Sequence, residues 1–295
     1  MELSIIIVSY NTKELLAETI ASIRLKPTWE LLVIDNASSD GSPDMVRRKF
    51  PGVVLVENRQ NLGFAKANNK GIGAAKGEFV MLLNSDTKVC DDAIGSLLEF
   101  MKSSPKVGIA SCQLNNPDGS IQPQGGFLPR LSNIAFWMLF IDDIPWLGKY
   151  LWPYHVNDSK AYLNEHRTGW VGGTAMMIRK GVIDKIGLLD EEIFMYGEDV
   201  EYCIRARRAG FEVAITPKGK IIHYGQKSSG GAQKPAWLGE FKAVKYVFAK
   251  HKPKWESPVL RVLLKTGALL RMLVFGILQG RKDAYAAYKE AFWMA

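Results

Sequence analysis

Cysteine is scarce in this chain of 295 residues: Cys90, Cys112 and Cys203 lie far apart and form no CxxC pair. That excludes a disulfide scaffold and a thiolate zinc site, and it fits a reducing compartment. Long apolar runs are missing too, and none approaches the ~20 residues of a membrane span. The first residues carry no basic n-region, no long apolar h-region and no cleavage site, so the sequence reads as that of a mature, unexported protein. No G-x-x-x-x-G-K-[ST] occurs, which removes a P-loop. Gly71-Ile72-Gly73 with Gly77 precedes a strand-like segment and lacks the G-x-G-x-x-G spacing, which disfavours a dinucleotide fold.

What the chain does have is an apolar content of 47%, enough to bury one large core, or a main domain with an appendage. The net charge of +8 is unevenly spread: residues 1–215 carry 23 Lys+Arg against 26 Asp+Glu, and residues 216–295 carry 15 against 4. The first part is therefore near neutral, while the strongly basic tail suits nucleic acid or an anionic membrane surface.

Apolar segments of strand length, Leu3 to Val8, Glu30 to Ile34, Val53 to Glu57 and Glu78 to Asn84, alternate with helix-period segments. Asn11 is placed to cap a helix carrying Leu15, Leu16, Ile20 and Ile23 on one face, and Ser42-Pro43-Asp44 opens another. The alternation predicts an α/β fold: a mostly parallel sheet flanked by helices, with ligands beyond the carboxyl ends of the strands. Further on, Thr174 to Arg179 reads as a strand and Glu198 to Ala209 as a helix closed by Gly210. Phe211 to Ile215 and Lys220 to Tyr224 read as two short strands. The stretch 127–165, rich in Trp, Tyr, Phe, Pro and Leu, reads as a partly helical insertion over the active site. Residues 1–230 would then form one domain and 231–295 a helical tail.

The polar strand exits hold the candidate chemistry: Ser9-Tyr10-Asn11 after the first strand, Asp35 to Gly41 after the second and Asn84-Ser85-Asp86-Thr87 after the fourth. A carboxylate at Asp86 suits Mg²⁺ or Mn²⁺, which with diphosphate oxygens would neutralise a leaving nucleoside diphosphate; an ordinary turn or helix cap explains the same tetrapeptide. Asp35 is placed to accept from a pyrimidine N3–H, with Asp40 near the ribose, or to make an Asx turn. Glu198-Asp199 at a helix start complements the helix dipole, or supplies in Asp199 a general base for an acceptor hydroxyl. His223, followed by Gln226, Lys227 and Ser228, is a metal ligand beside a diphosphate clamp, or a structural histidine.

In order and spacing, several runs together resemble the inverting family-2 glycosyltransferases, in particular the bacterial rhamnosyltransferase-like branch. They are Ser-Ile-Ile-Ile-Val-Ser-Tyr-Asn from Ser4, Asp-Asn-Ala-Ser-Ser-Asp-Gly-Ser from Asp35 and Asn-Leu-Gly-Phe-Ala-Lys-Ala-Asn-Asn-Lys-Gly from Asn61, then Leu-Leu-Asn-Ser-Asp-Thr from Leu82, Gly172-Gly173, Tyr196-Gly-Glu-Asp-Val-Glu and His223-Tyr-Gly. The resemblance implies a Rossmann-like GT-A domain over roughly residues 3–230. It implies that Ser9, Tyr10, Asp35, Asn61, Gly63 and Lys66 line the nucleotide pocket, and that Asn84, Ser85, Gly173, Glu198 and Lys227 belong with the substrate site. Asp86 and His223 would hold the metal, and Asp199 would be the base. The implied reaction is a single in-line displacement that inverts the anomeric centre. It would move L-rhamnose from dTDP-rhamnose to a lipid-linked or polysaccharide acceptor in cell-surface glycan synthesis. One departure stands out: the usual D-x-D appears as Asn84-Ser85-Asp86, one charge short. The alternative is therefore a non-catalytic nucleotide-sugar or glycan binding module.

From Ser257 to Lys282 there are five cations, Arg261, Lys265, Arg271, Arg281 and Lys282, and no acid. At ~100° per residue all but Arg281 share one arc of a continuous helix. Such a basic amphipathic helix lies in the interface of an anionic membrane rather than crossing it, and its greasy opposite arc disfavours nucleic acid. The alternative is packing on the domain or at a homodimer contact. The expectation is a cytoplasmic enzyme held peripherally at the inner face of the cell membrane.

Overall fold

The structure, a computed structural model, describes residues 1–144, 151–225 and 233–295. The chain divides into two compact units, Met1–Gly125 with Asn157–Gly231, and Gly126–Val156 with Ala232–Ala295. The strands are β1 (Leu3–Ser9), β2 (Trp29–Asp35), β3 (Val54–Glu57), β4 (Phe79–Asn84), β5 (Thr87–Val89), β6 (Val107–Asn115), β7 (Gly125–Gly126), β8 (His166–Thr168), β9 (Trp170–Val171), β10 (Ala175–Arg179) and β11 (Glu212–His223). The helices are α1 (Lys13–Ser22), α2 (Ser42–Lys49), α3 (Phe64–Ala74), α4 (Ala93–Ser103), α5 (Leu131–Met138), α6 (Lys180–Ile186), α7 (Glu198–Arg208), α8 (Gln233–His251), α9 (Glu256–Arg271) and α10 (Lys282–Met294).

The first unit is built on a sheet ordered β3-β2-β1-β4-β10-β6-β11-β5, with β8 on β11. Strands β1 to β4 run parallel, as the βα alternation predicts, and Ile5, Ile6 and Ile7 of β1 are all buried because a central parallel strand is covered on both faces. Two departures bear on the site. Strand β6, fully buried along its length, joins the sheet beyond the expected alternation, and β10 runs antiparallel between β4 and β6. An antiparallel strand enters where its neighbour leaves, so Gly172 to Thr174 arrive at the carboxyl end of β4. There the Asn84 N–H donates to the Thr174 carbonyl at 2.9 Å. The two short strands expected at 211–224 are one strand, β11, whose register shifts between Thr216 and Lys220, where Gly219 has φ +88°.

The helix starts also differ in detail. Thr12 rather than Asn11 is the N-cap of α1, and Asn11, with φ +53°, instead accepts the Ser39 N–H at 2.8 Å, joining the β1 and β2 exits. Gly41 precedes α2, and Asp40 accepts from the Ser42 N–H at 2.9 Å.

The second unit gathers the aromatic stretch and the C-terminal helices. Gly267 of α9 lies against Met138 of α5, where a side chain would collide. Arg271 is buried, donating to the carbonyls of Met138 at 3.0 Å and Trp137 at 2.8 Å with its guanidinium 4.5 Å from the Phe140 ring. A cation there satisfies carbonyls at the end of α5 and opposes its dipole. The continuous basic helix expected over 257–282 is therefore corrected. It stops at Arg271, passes through a π-helical segment at Met272–Leu278, and ends where Gly280 turns with φ +69° before α10. Lys265 rests over the Phe292 ring and Arg281 over Trp237, so those cations also serve the unit's own packing. Outward lie Val259, Val262, Leu269, Leu273, Ile277 and Leu278. No helix among the described residues is long and apolar enough to cross a membrane.

Candidate active site

The exits of β1, β2 and β3 are tied together by short polar side chains. Asp35 ends β2 buried, with Oδ2 accepting the Ser38 N–H at 2.9 Å, a local bond three residues on rather than the two of an Asx turn. Its other oxygen, Oδ1, is buried with no hydrogen-bond partner. Next to it, the Asn36 amide donates to Asn61 Oδ1 at 2.9 Å and the Gly63 carbonyl at 3.2 Å, and accepts from Asn58 at 2.9 Å. Asn61 also accepts the Gly63 N–H at 2.9 Å. The Asn61 carbonyl thus braces its own loop. Gly63 adopts φ +81° and ψ 176°, and a Cβ there would lie 2.5 Å from the Phe194 carbonyl oxygen, so only glycine fits. Tyr10 is exposed just past β1, and Lys66 is exposed in the first turn of α3.

Ser9 and Ser85 turn inward. Ser9 Oγ lies 3.1 Å from Thr12 Oγ1, which donates to Ser85 Oγ at 2.9 Å, and all three side chains are buried. These hydroxyls join the β1 and β4 exits. Asp40 is likewise drawn into structure: burial disfavours its charge, but bonds from Ser42 and the Lys13 N–H outweigh that and hold its carboxyl below the usual range.

The opening of α7 comes to the same end of the sheet. Glu198, Asp199 and Glu201 fill its first turn and Arg205, Arg207 and Arg208 its last, matching the helix dipole. Tyr196 at φ +68° and Gly197 at φ +96° turn the chain into the helix, a strained entry for a tyrosine. Asp199 Oδ2 accepts the Gly173 N–H at 2.9 Å and Oδ1 the Val200 N–H at 2.8 Å. Gly173 is closely packed, since a Cβ would sit 3.2 Å from the Phe64 ring and the ring would have to give way. The antiparallel entry of β10 is what carries Gly173, and with it Asp199, to the β4 exit. Glu198 is buried with Oε2 unpartnered. Burial first and the Asp199 charge second push its carboxyl up to about 8, so it keeps its proton at neutral pH.

Asp86, fully buried, meets His223 through the pairing of β5 with β11: His223 lies opposite Thr87, and the Tyr224 N–H donates to the Asp86 carbonyl at 2.9 Å. His223 Nε2 stands 3.3 Å from Asp86 Oδ1. Among the described residues no group of three His, Cys, Asp or Glu could enclose a metal. A buried carboxylate and imidazole fit a divalent cation shared with phosphate oxygens, not an all-protein cage. Asn84 is half-buried beside them, and Lys227 lies outside the described residues. Sequence reasoning passed over Asn36, Thr12 and Gln122. Only the last lies against a candidate ligand, and its signal was no more than a polar residue following an Asn-Pro-Asp-Gly turn.

The sequence family described as Glycosyl transferase family 2 matches residues 4–187. An N-acetylglucosaminyl-diphospho-decaprenol L-rhamnosyltransferase of Mycobacterium tuberculosis is 27% identical over 288 residues, covering 91% of each chain. The low-salt glycan biosynthesis hexosyltransferase Agl10 of Haloferax volcanii is 25% identical over 309 residues, covering 95% of this chain and 91% of its own. Among solved structures, the mannosyltransferase PcManGT of Pyrobaculum calidifontis, in complex with GDP-Man and Mn²⁺, superposes with a TM-score of 0.58 at 18% identity, over 98% of this chain and 73% of that one.

Proposed function

The chain belongs to glycosyl transferase family 2, has the GT-A fold and is a glycosyltransferase, and from that premise we propose an inverting transfer of L-rhamnose from dTDP-rhamnose to a lipid-linked or polysaccharide hydroxyl in cell-surface glycan assembly. The observation that carries the mechanism is Asp199, oriented by the Gly173 N–H at the β4 exit. Its carboxylate takes the proton of the acceptor hydroxyl as that oxygen attacks the anomeric carbon. Neutral Glu198 removes one of the three negative charges that the acids of the first turn would otherwise carry, so it does not compete with Asp199 for the proton. Asp35 Oδ1, buried and unpartnered, accepts from the N3–H of a pyrimidine base. Asp86 and His223 hold a divalent ion, Mg²⁺ or Mn²⁺, which when bound stabilises the departing diphosphate. The sugar and the lipid-linked acceptor rest on the mycobacterial relative, which covers nearly the whole chain. The exposed apolar face of α9 and the π-helical segment is the surface we assign to anionic membrane at the cytoplasmic side, in place of the cationic arc.

The test is slow hydrolysis of dTDP-rhamnose, alongside UDP- and GDP-sugars, with Mn²⁺ or Mg²⁺. Asp199→Asn should slow turnover by ~10²-fold or more. No bound or hydrolysed donor, or an unimpaired Asp199→Asn, would overturn the mechanism. Turnover only of a different nucleotide sugar would overturn the rhamnose assignment.

A further inference from the structure

Resting on the metal reading above, we propose that the hairpin from Asn116 to Gln122 is a positioning device that fixes His223 as its Nδ1–H tautomer and so presents Nε2 to the cation. A hydrogen-bond chain of fixed polarity runs from Asp118 to His223. Asp118 at the hairpin tip is an ionised carboxylate and can only accept. It takes the Ser120 N–H at 2.9 Å and the Ser120 hydroxyl at 2.6 Å. With its proton spent there, Ser120 Oγ accepts from Asn116 Nδ2 at 2.9 Å. That turns Asn116 Oδ1 toward Gln122 Nε2, at 3.2 Å. Gln122 Oε1 therefore faces His223 Nδ1 at 2.8 Å, and being a carbonyl oxygen it requires a proton on that nitrogen.

In the neutral ring the lone pair then sits on Nε2, which looks at Asp86 Oδ1 across 3.3 Å. Two ligand atoms at that separation suit a shared divalent cation. The hairpin is built to hold this polarity. Its turn closes through the Gly119 N–H to the Asn116 carbonyl at 2.9 Å and the Asn116 N–H to the Ser120 carbonyl at 2.8 Å, with Gly119 at φ +86°. The Gln122 N–H is anchored on the Leu114 carbonyl at 2.9 Å. Acceptors behind a ligating histidine orient the ring and raise its basicity, and losing one typically weakens metal binding ~10- to 100-fold.

The experiment uses the full chain and two readouts. Imidazole ¹⁵N shifts of the metal-free protein, with the ring neutral, report the His223 tautomer. Electron paramagnetic resonance of free Mn²⁺, with and without dTDP, reports affinity. Wild type should be Nδ1–H. Gln122→Leu should shift the ring toward Nε2–H and weaken Mn²⁺ by ~10- to 100-fold, and Gln122→Glu, which keeps an acceptor, should restore both. If Gln122→Leu fails to fold, Asn116→Leu breaks the same chain one link further out. An Nε2–H ring in wild type, or a Gln122→Leu protein with unchanged tautomer and affinity, would overturn the proposal. If wild type binds no Mn²⁺ with dTDP, it is the metal reading that fails, while the tautomer comparison still decides whether the hairpin sets the ring.

Discussion

Asp35 has one oxygen tied to Ser38 and one buried without a donor, a division of labour that makes its role separable from its stability. Asp35→Asn keeps a carbonyl for the Ser38 N–H but places an amide donor where the free oxygen stood. Affinity for dTDP should fall by about tenfold or more, the cost of facing a donor with a donor, while the melting temperature stays close to wild type. Unchanged affinity by calorimetry would count against the base-reading role. Glu198 gives a pH test. Its carboxyl rises from 4.5 to about 8 on folding, so between those values the folded chain holds a proton that the unfolded chain has released. Stability therefore falls as pH rises across that window and levels off above it. Glu198→Gln should be more stable than wild type near pH 8, by on the order of a few kcal/mol, and should flatten the pH profile; parallel profiles in urea denaturation would refute this. At this scale the positions of Asp35 and Asp86 at strand exits and of Asp199 at a helix start were legible, because strand and helix boundaries are visible in the pattern. The mutual bonds of Ser9, Ser85 and Asn61 were not legible, because a sequence does not reveal which way a short polar side chain turns once strand exits are brought together.

Among the elements, β1 to β4 were readable from their buried apolar runs, whereas β6 and the direction of β10 were not. Direction depends on what a strand pairs with, and the pairing of β10 with β4 spans some ninety residues of sequence. Yet that direction delivers Gly173 and Asp199 to the site. The tail shows the converse error. Periodicity alone put Arg271 on an outer cationic arc, but its hydrogen bonds to Trp137 and Met138 draw it inward, and the face left outward is apolar. Membrane binding should therefore respond to apolar substitutions first. Leu269→Ser, Leu273→Ser and Ile277→Ser together remove three exposed side chains worth ~1.5–3 kcal/mol each when fully buried. They should abolish flotation with anionic liposomes without lowering the melting temperature. Flotation equal to wild type would remove this face as the membrane contact.

For the whole molecule, the decisive feature is that the second unit is discontinuous in sequence. Residues 126–156 leave the chain of the first unit in its middle, and their partners, 232–295, come only at its end. The tail is thus not an appendage that can be cut away to test its function. Trp137 contacts Phe241, the α5 carbonyls are satisfied by Arg271, and Phe140 packs edge-on against Phe275. A chain ending at residue 231 would keep the aromatic half of this unit and lose the helices packed on it, including the cation that closes α5. An apolar surface so uncovered favours association. The truncated chain should bind a hydrophobic dye strongly, elute as aggregate and lose donor hydrolysis through insolubility, whereas the triple serine variant remains soluble and active on a soluble acceptor. A soluble, dye-negative truncated monomer with a wild-type melting temperature would mean that residues 126–156 do not depend on the C-terminal helices for their burial.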